Sequence, residues 1–464
     1  MLNYFNFKKL GTDFLITNDF GMFTFLKTKE FQKLISNKLT PADSCYQTLV
    51  DNCFIINKPH EIFVNEMSGH LRTLKSYAFS ATALHIFAVT NSCNMNCIYC
   101  QAKDVGSTLD GKMTITTGKK AIDLTMQSPS DFLTFEFQGG EPLLNFEVIK
   151  EMITYSKSIN KTKTIEYTIV TNLIALTDEI LEYLISENIS ICTSLDGCKE
   201  VHNYNRKLKN GGDTFDIVKN NIEKIRRKGK QLGGIETTTR HSLKYPKEIV
   251  DEYIDRGITS IFLRPLTPLG FAKSYWEKVG YTPEEYLNFY KEAFDYIIDL
   301  NLKGIRFPEI HSTYFLKKMI NGTSDNYMEL RSPCGASIGQ MSYYHDGNVY
   351  TCDEGRMISE TGDFTFKLGN VYENTYDQFM NSSVCKTTCA ASVVESLPTC
   401  CDCAYHPYCG VCPVVSYAEN KDIFSKSPHD YRCKIYSGML DILFDILHSQ
   451  DEEKINVLYD WIRE

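Results

Sequence analysis

The stretch Val89-Thr90-Asn91-Ser92-Cys93-Asn94-Met95-Asn96-Cys97-Ile98-Tyr99-Cys100-Gln101 decides how this chain is read. Ahead of the cysteines, Ala83 to Val89 is an apolar run, which predicts a buried strand that delivers the chain into a loop. The loop carries Cys93, Cys97 and Cys100 in a Cys-x3-Cys-x2-Cys spacing. Three thiolates so placed can hold three irons of a cubic four-iron, four-sulfur (4Fe-4S) cluster and leave the fourth iron open to an exogenous ligand. A structural zinc site is the other chemistry open to clustered cysteines, but it wants four closed ligands, usually in paired halves.

Working outward, the 464 residues are enough for about three domains. With 43% hydrophobic and 23% charged residues, the composition is that of a globular protein and not of a disordered chain. A net charge of -9 excludes the basic excess that nucleic acid or an anionic membrane surface calls for. No window approaches 18 uncharged apolar residues, and the opening MLNYFNFKKLGTDF lacks a secretory layout, so a cytoplasmic protein is expected. Its 17 cysteines then point to metal or cluster ligation in place of disulfides.

Strands are expected near 83–90, 132–138, 164–171, 189–195, 233–239 and 260–265, alternating with helical stretches such as 146–158, 177–187, 213–229 and 246–256. Motifs recur where these strands end: Gln138-Gly139-Gly140-Glu141-Pro142, then Val170-Thr171-Asn172, then Ser194-Leu195-Asp196-Gly197 with His202 and Arg206 downstream. In this order, and with the aromatic Tyr99 before the last loop cysteine, they resemble the radical SAM (S-adenosylmethionine) superfamily. The resemblance implies an α/β fold, a partial (β/α)6 TIM-like barrel with its site at the strand C-termini. It further implies that Tyr99, Gly139, Gly140, Glu141, Asn172, Ser194, Asp196, Arg206 and Leu263 surround bound SAM. Of these, the Gly-Gly-Glu element would meet the methionyl amino group, while Ser194 and Arg206 would hold ribose and carboxylate.

A second cysteine block reads Cys334-x12-Gly347-x4-Cys352, then Cys400-x2-Cys403-x5-Cys409-x2-Cys412, then Cys433. It resembles the SPASM extension of radical SAM enzymes that modify peptides, and seven thiolates suit two further 4Fe-4S clusters, three in all. By that resemblance Cys334, Cys352 and Cys412 hold auxiliary cluster I, and Cys400, Cys403, Cys409 and Cys433 hold auxiliary cluster II. The run departs from the usual pattern: it closes Cys-x2-Cys where Cys-x3-Cys is customary, and no fourth cysteine lies between Cys334 and Cys352. Cluster I is left with an open iron or with Cys385 or Cys389 as a borrowed ligand. Asp353, directly after Cys352, stands where anaerobic sulfatase maturases keep a proton-accepting aspartate; a purely structural carboxylate is the other reading.

The chain ends read differently. Residues 1–80 predict three short strands and then two or three helices, resembling a small winged-helix-like leader-peptide recognition domain; a cap packed on the barrel is the alternative. The remaining divisions fall at 81–305 for the core, 306–433 for the auxiliary clusters and 434–464 for a helical segment. Overall resemblance is nearest to the radical SAM maturases of His-Xaa-Ser repeat peptide systems. That implies reductive SAM cleavage to a 5'-deoxyadenosyl radical, a ribosomally made precursor peptide as substrate, crosslink formation, and a flavodoxin or ferredoxin as electron donor. Sulfatase-maturase-like formylglycine formation is the runner-up, and a non-catalytic iron-sulfur electron carrier is the reading from a different class.

Overall fold

The computed structural model describes residues 1–103, 111–323, 328–424 and 430–463. At its start β1 (Asn6–Leu10), β2 (Asp13–Thr17) and β3 (Phe23–Lys27) form an antiparallel sheet in that order. Gly11 and Gly21 turn the chain at φ of 56° and 75°, a left-handed conformation that a residue without Cβ enters at no steric cost. Helices Thr28–Ile35, Tyr46–Asp51 and His60–Leu74 follow. Phe31, Leu34, Leu49 and Phe54 bury themselves against Ile16 and Leu26 as a small separate core.

The second sheet has nine strands. Six of them, β4 (Leu84–Thr90), β5 (Phe132–Gly139), β6 (Thr164–Thr171), β7 (Ser190–Ser194), β8 (Leu232–Thr237) and β9 (Leu263–Arg264), lie side by side in chain order, each parallel to the next. Helices on the outer face separate them, which gives the open (β/α)6 barrel. Strand register shows why the barrel is hollow. Phe87, Phe137, Ile169 and Ile191 share one row and are buried. On the opposite face the paired Glu136 and Thr168, and the paired Val170 and Cys192, are only half-buried. Apolar side chains turn out toward the helices, and polar or small ones line a lumen that a fully packed eight-stranded barrel would fill.

The larger sheet continues past the barrel. β10 (Gln340–Tyr344) pairs in parallel with the free edge of β4, and β11 (Asn348–Tyr350) and β12 (Lys367–Asn370) add antiparallel beyond it. Cys352, two residues past β11, is thereby carried to the edge of the barrel. Helix Tyr431–His448 packs on helix Pro283–Leu302, as does helix Glu452–Trp461, whose Trp461 Nε1 donates to Asn301 at 3.1 Å. Cys433 therefore sits in the first turn of a long helix and not in a loop. Among the described residues no helix is long and apolar enough to cross a membrane.

Candidate active site

The cysteine loop leaves β4 and is pressed onto the end of β5. Gly140 N donates to Thr90 O at 2.7 Å and Glu141 N to Ser92 O at 2.8 Å. A Cβ on Gly139 would stand 2.1 Å from Thr90 O, and one on Gly140 2.2 Å from Ser92 O, so only glycine lets the backbones approach this closely. The two glycines thus seat the cluster loop itself. Glu141 is turned inward: its carboxylate accepts from Thr171 Oγ1 (2.6 Å), Leu143 N (3.1 Å) and Asn172 N (2.8 Å). It straps β5 to β6. Asn172 extends the strap, donating to Asn94 Oδ1 at 2.8 Å and reaching Cys93 Sγ at 3.7 Å.

Across the loop, Tyr99, Asp196 and Arg206 lock together although they are far apart in the chain. Tyr99 OH lies 2.9 and 2.8 Å from the two Asp196 oxygens and accepts from Arg206 Nη1 at 2.6 Å; all three residues are buried. Burial pushes the Asp196 carboxyl up, and Arg206 and Tyr99 pull it back. Cys97 is pushed up to about 12 by burial, with Arg206 opposing and the other two loop thiols adding to the rise. Three thiols that feel one another beside a buried guanidinium form a donor set that suits an anionic iron-sulfur cluster, whose assembly must expel their protons. Arg206 Nε is buried without a hydrogen-bond partner, which suits a carboxylate arriving there. Ser194 ends β7 half-buried at the same end of the barrel. Leu263 is fully buried among core side chains, with its amide toward Glu309 (3.3 Å) and its carbonyl taken by Tyr286 (2.8 Å).

The second cysteine block separates into two groups. Cys334, Cys352 and Cys412 pack into one buried patch with Leu269, Phe366 and Val414. Cys400, Cys403, Cys409 and Cys433 line a single cavity, which Cys412 and His406 also border. Among the described residues no three His, Cys, Asp or Glu side chains are drawn together as a site for one metal ion. A four-iron cube places each thiolate on a different iron and spreads its ligands wider than one ion does.

Asp353 lies near the lumen, and one of its oxygens accepts from the buried Arg356 at 2.7 Å. Its neighbour Glu354 meets Arg264 at 3.3 Å. Glu136 on β5 points into the lumen and is pushed up to about 7 by burial and by the charges of Asp353 and Glu354. Sequence reasoning passed over Glu136; the available signal was a carboxylate in the strand Phe135-Glu136-Phe137, on the face opposite the buried phenylalanines.

The N-terminal sheet reaches the loop that carries Cys400, Cys401, Cys403 and Cys409. Thr17 Oγ1 donates to Ala404 O (2.8 Å), Asn6 Nδ2 to Cys401 O (3.1 Å) and Tyr4 OH to Asp402 Oδ1 (3.0 Å), while Tyr408 OH donates back to Gly21 O (3.0 Å). Phe23 packs edge-on against Phe444, and Lys8 pairs with Asp441 at 2.6 Å. These contacts place the sheet on residues 401–408 and on the helix Tyr431–His448.

Known proteins fit this geometry. Residues 87–244 match the radical SAM superfamily. A cysteine-type anaerobic sulfatase-maturating enzyme of Clostridium novyi is 24% identical over 69% of this chain and 84% of its own. The solved structure of native anSMEcpe with bound AdoMet superposes with a TM-score of 0.70 at 21% identity, covering 82% of this chain and 99% of that one. Streptococcus suis SuiB bound to precursor peptide SuiA superposes with a TM-score of 0.54 at 15% identity, covering 92% of this chain and 97% of that one. The superfamily match spans the same strands that bring Cys93, Cys97, Cys100, Gly140 and Arg206 together, and residues 87–244 form a radical SAM domain.

Proposed function

We propose that this chain is a radical SAM maturase that modifies a ribosomally made peptide, with an N-terminal domain (residues 1–80) that recognises the leader. The docking of that domain carries the reading. Buried Asn6 and Thr17 fasten its sheet to the 401–408 loop, so a peptide held there is held next to the auxiliary-cluster region of the same molecule. Among the described residues no further strand pairs with the outer edges of β1 and β3, to which an extended leader can add as a further strand. The precursor-peptide complex of SuiB, which has a similar overall fold, supports the substrate class.

When bound, the loop cluster and SAM supply a 5'-deoxyadenosyl radical that abstracts a substrate hydrogen atom. The protein's own part is positional. Cys93, Cys97 and Cys100 would bind the cluster; Gly139 and Gly140 let its loop seat on β5; the Tyr99–Asp196–Arg206 lock holds one wall, and Arg206 Nε would take the SAM carboxylate, with Ser194 and Asn172 completing the SAM contacts. The half-buried lumen receives the reacting residue away from bulk water. Asp353 accepts the proton released as the substrate radical collapses. Cys334, Cys352 and Cys412, and separately Cys400, Cys403, Cys409 and Cys433, would hold two auxiliary clusters, which would supply electron-accepting capacity beside the lumen. A flavodoxin or ferredoxin delivers the initiating electron.

The test is anaerobic reconstitution with dithionite and SAM, followed by quantification of 5'-deoxyadenosine and mass analysis of short peptides encoded beside the gene. The expected result is SAM cleavage together with a peptide mass loss consistent with crosslinking, which disappears when residues 1–80 are deleted. SAM cleavage with a sulfatase-derived cysteine or serine peptide oxidised to formylglycine overturns the peptide-crosslink reading in favour of the sulfatase-maturase one. Absence of 5'-deoxyadenosine leaves only an electron carrier.

A further inference from the structure

The group Cys334, Cys352 and Cys412 is one thiolate short. A four-iron cube has four irons to ligate, and three cysteines leave one open to a substrate, a solvent molecule or another side chain. Which of these applies decides whether the cluster acts on the substrate directly or only carries electrons.

Two cysteines outside both ligand groups, Cys385 and Cys389, stand one turn apart on the helix Ser383–Ala390. Two hydrogen bonds seat the end of this helix against Cys334. The Cys334 amide donates to Ser392 Oγ at 3.0 Å, and the same hydroxyl donates to Cys389 O at 3.0 Å, so one buried serine joins the two cysteine backbones. On the other side, Ser337 N donates to Thr351 O at 2.7 Å, tying the Cys334 loop to the residue before Cys352. The spare helix and the three-cysteine patch are therefore clamped together at Cys334. Of the two spare cysteines, Cys389 is the one whose backbone shares that serine with Cys334, whereas the Cys385 amide, one turn back, donates to Ser382 Oγ at 3.1 Å.

We propose that Cys389 supplies the fourth thiolate of the auxiliary cluster held by Cys334, Cys352 and Cys412, which closes that cluster to substrate and makes it an electron carrier. The proposal rests on the two-auxiliary-cluster reading above. Ligation breaks the Cys389 S–H bond and forms an iron–sulfur bond; the proton leaves to solvent and no electron is transferred.

The test uses full-length protein in which Cys93, Cys97 and Cys100 are replaced by Ala, so that only auxiliary clusters contribute. Cys389→Ala, Cys389→Ser and Cys385→Ala are added singly, and iron content, Mössbauer spectra and EPR with 13C-cyanide as a probe of open iron are recorded. The expected background has about eight irons and no cyanide coupling. Cys389→Ala is expected to gain cyanide coupling or a three-iron EPR signal. Cys389→Ser, which keeps an oxygen ligand and guards against simple misfolding, is expected to shift the Mössbauer parameters of one iron, and Cys385→Ala to change nothing. Cyanide binding in the background protein, unchanged spectra in both Cys389 variants, or the change appearing in Cys385→Ala would each overturn the proposal while leaving two clusters in place. A background with about four irons or fewer would overturn the two-cluster reading along with it.

Discussion

Gly140→Ala tests the seating of the cluster loop directly. The new methyl carbon would stand 2.2 Å from Ser92 O, 2.6 Å from Ser92 C and 2.7 Å from Asn91 O, all backbone atoms. Ordinary contact begins near 3.4 Å, so the loop must retreat by about 1 Å. Retreat stretches the Gly140–Thr90 and Glu141–Ser92 hydrogen bonds, now 2.7 and 2.8 Å. Overpacking costs about 1–3 kcal/mol and each weakened hydrogen bond about 1 kcal/mol, which gives about 3–5 kcal/mol concentrated at one loop. A displacement of about 1 Å at a reacting centre is enough to lower a rate about 100-fold. Gly11→Ala is the control: it has nothing within 4 Å of its added Cβ, and its positive φ of 56°, which Gly140 does not share, strains only a turn far from the cluster loop. The assay is 5'-deoxyadenosine formation per loop cluster, with total iron and thermal denaturation measured alongside. Gly140→Ala is expected to fall by 100-fold or more with its auxiliary iron retained, and Gly11→Ala to remain near wild type. Wild-type cleavage by Gly140→Ala would refute the argument that close backbone approach positions this cluster.

Further outcomes follow from single contacts. Thr17→Val leaves the buried Ala404 carbonyl without its 2.8 Å partner and is expected to cost about 1–3 kcal/mol, seen as faster hydrogen exchange across residues 400–409 and faster iron loss to a chelator; unchanged exchange there would show that the N-terminal sheet does not hold the loop. His85 is fully buried between Tyr343 OH (3.1 Å) and Thr82 O (3.2 Å), and burial pushes it down to about 3. The unfolded chain therefore binds this proton first, so the His85 contribution to stability is complete above pH 6.5 and is lost as pH falls toward 3. Between pH 7 and 5.5 the wild type is expected to lose about 1 kcal/mol more than His85→Gln in denaturant titrations, and equal losses would contradict the assignment. Asp353→Asn is expected to lower product formation about 100-fold while deuterium from labelled peptide still enters 5'-deoxyadenosine, and near-normal turnover would move the base elsewhere.

The strands and the first cysteine loop were legible because their signals are local. An apolar run such as Ala83 to Val89 leading into a loop marks a buried strand, and Cys93, Cys97 and Cys100 share one loop, so their spacing in the chain constrains their spacing in space. Resemblance extended this to Tyr99, Asp196 and Arg206, whose lock the tertiary structure then displayed in hydrogen bonds. Other features depend on which surfaces meet. Glu136 becomes a lumen group only because β5 turns its phenylalanines outward, and Glu141 proved to be a strap between two strands. Asn6 and Thr17 carry no motif, yet they find Cys401 and Ala404 across separations of 395 and 387 residues. Likewise β10 closes onto β4, and Ser392 draws Cys389 to Cys334, without any periodic mark in the sequence. A period reports which face of an element is apolar, and a spacing reports what one loop can grasp. Which distant element fills a free edge or satisfies a lone buried carbonyl is decided only when the whole chain packs, because many polar side chains could make such a bond and the fold brings just one within reach.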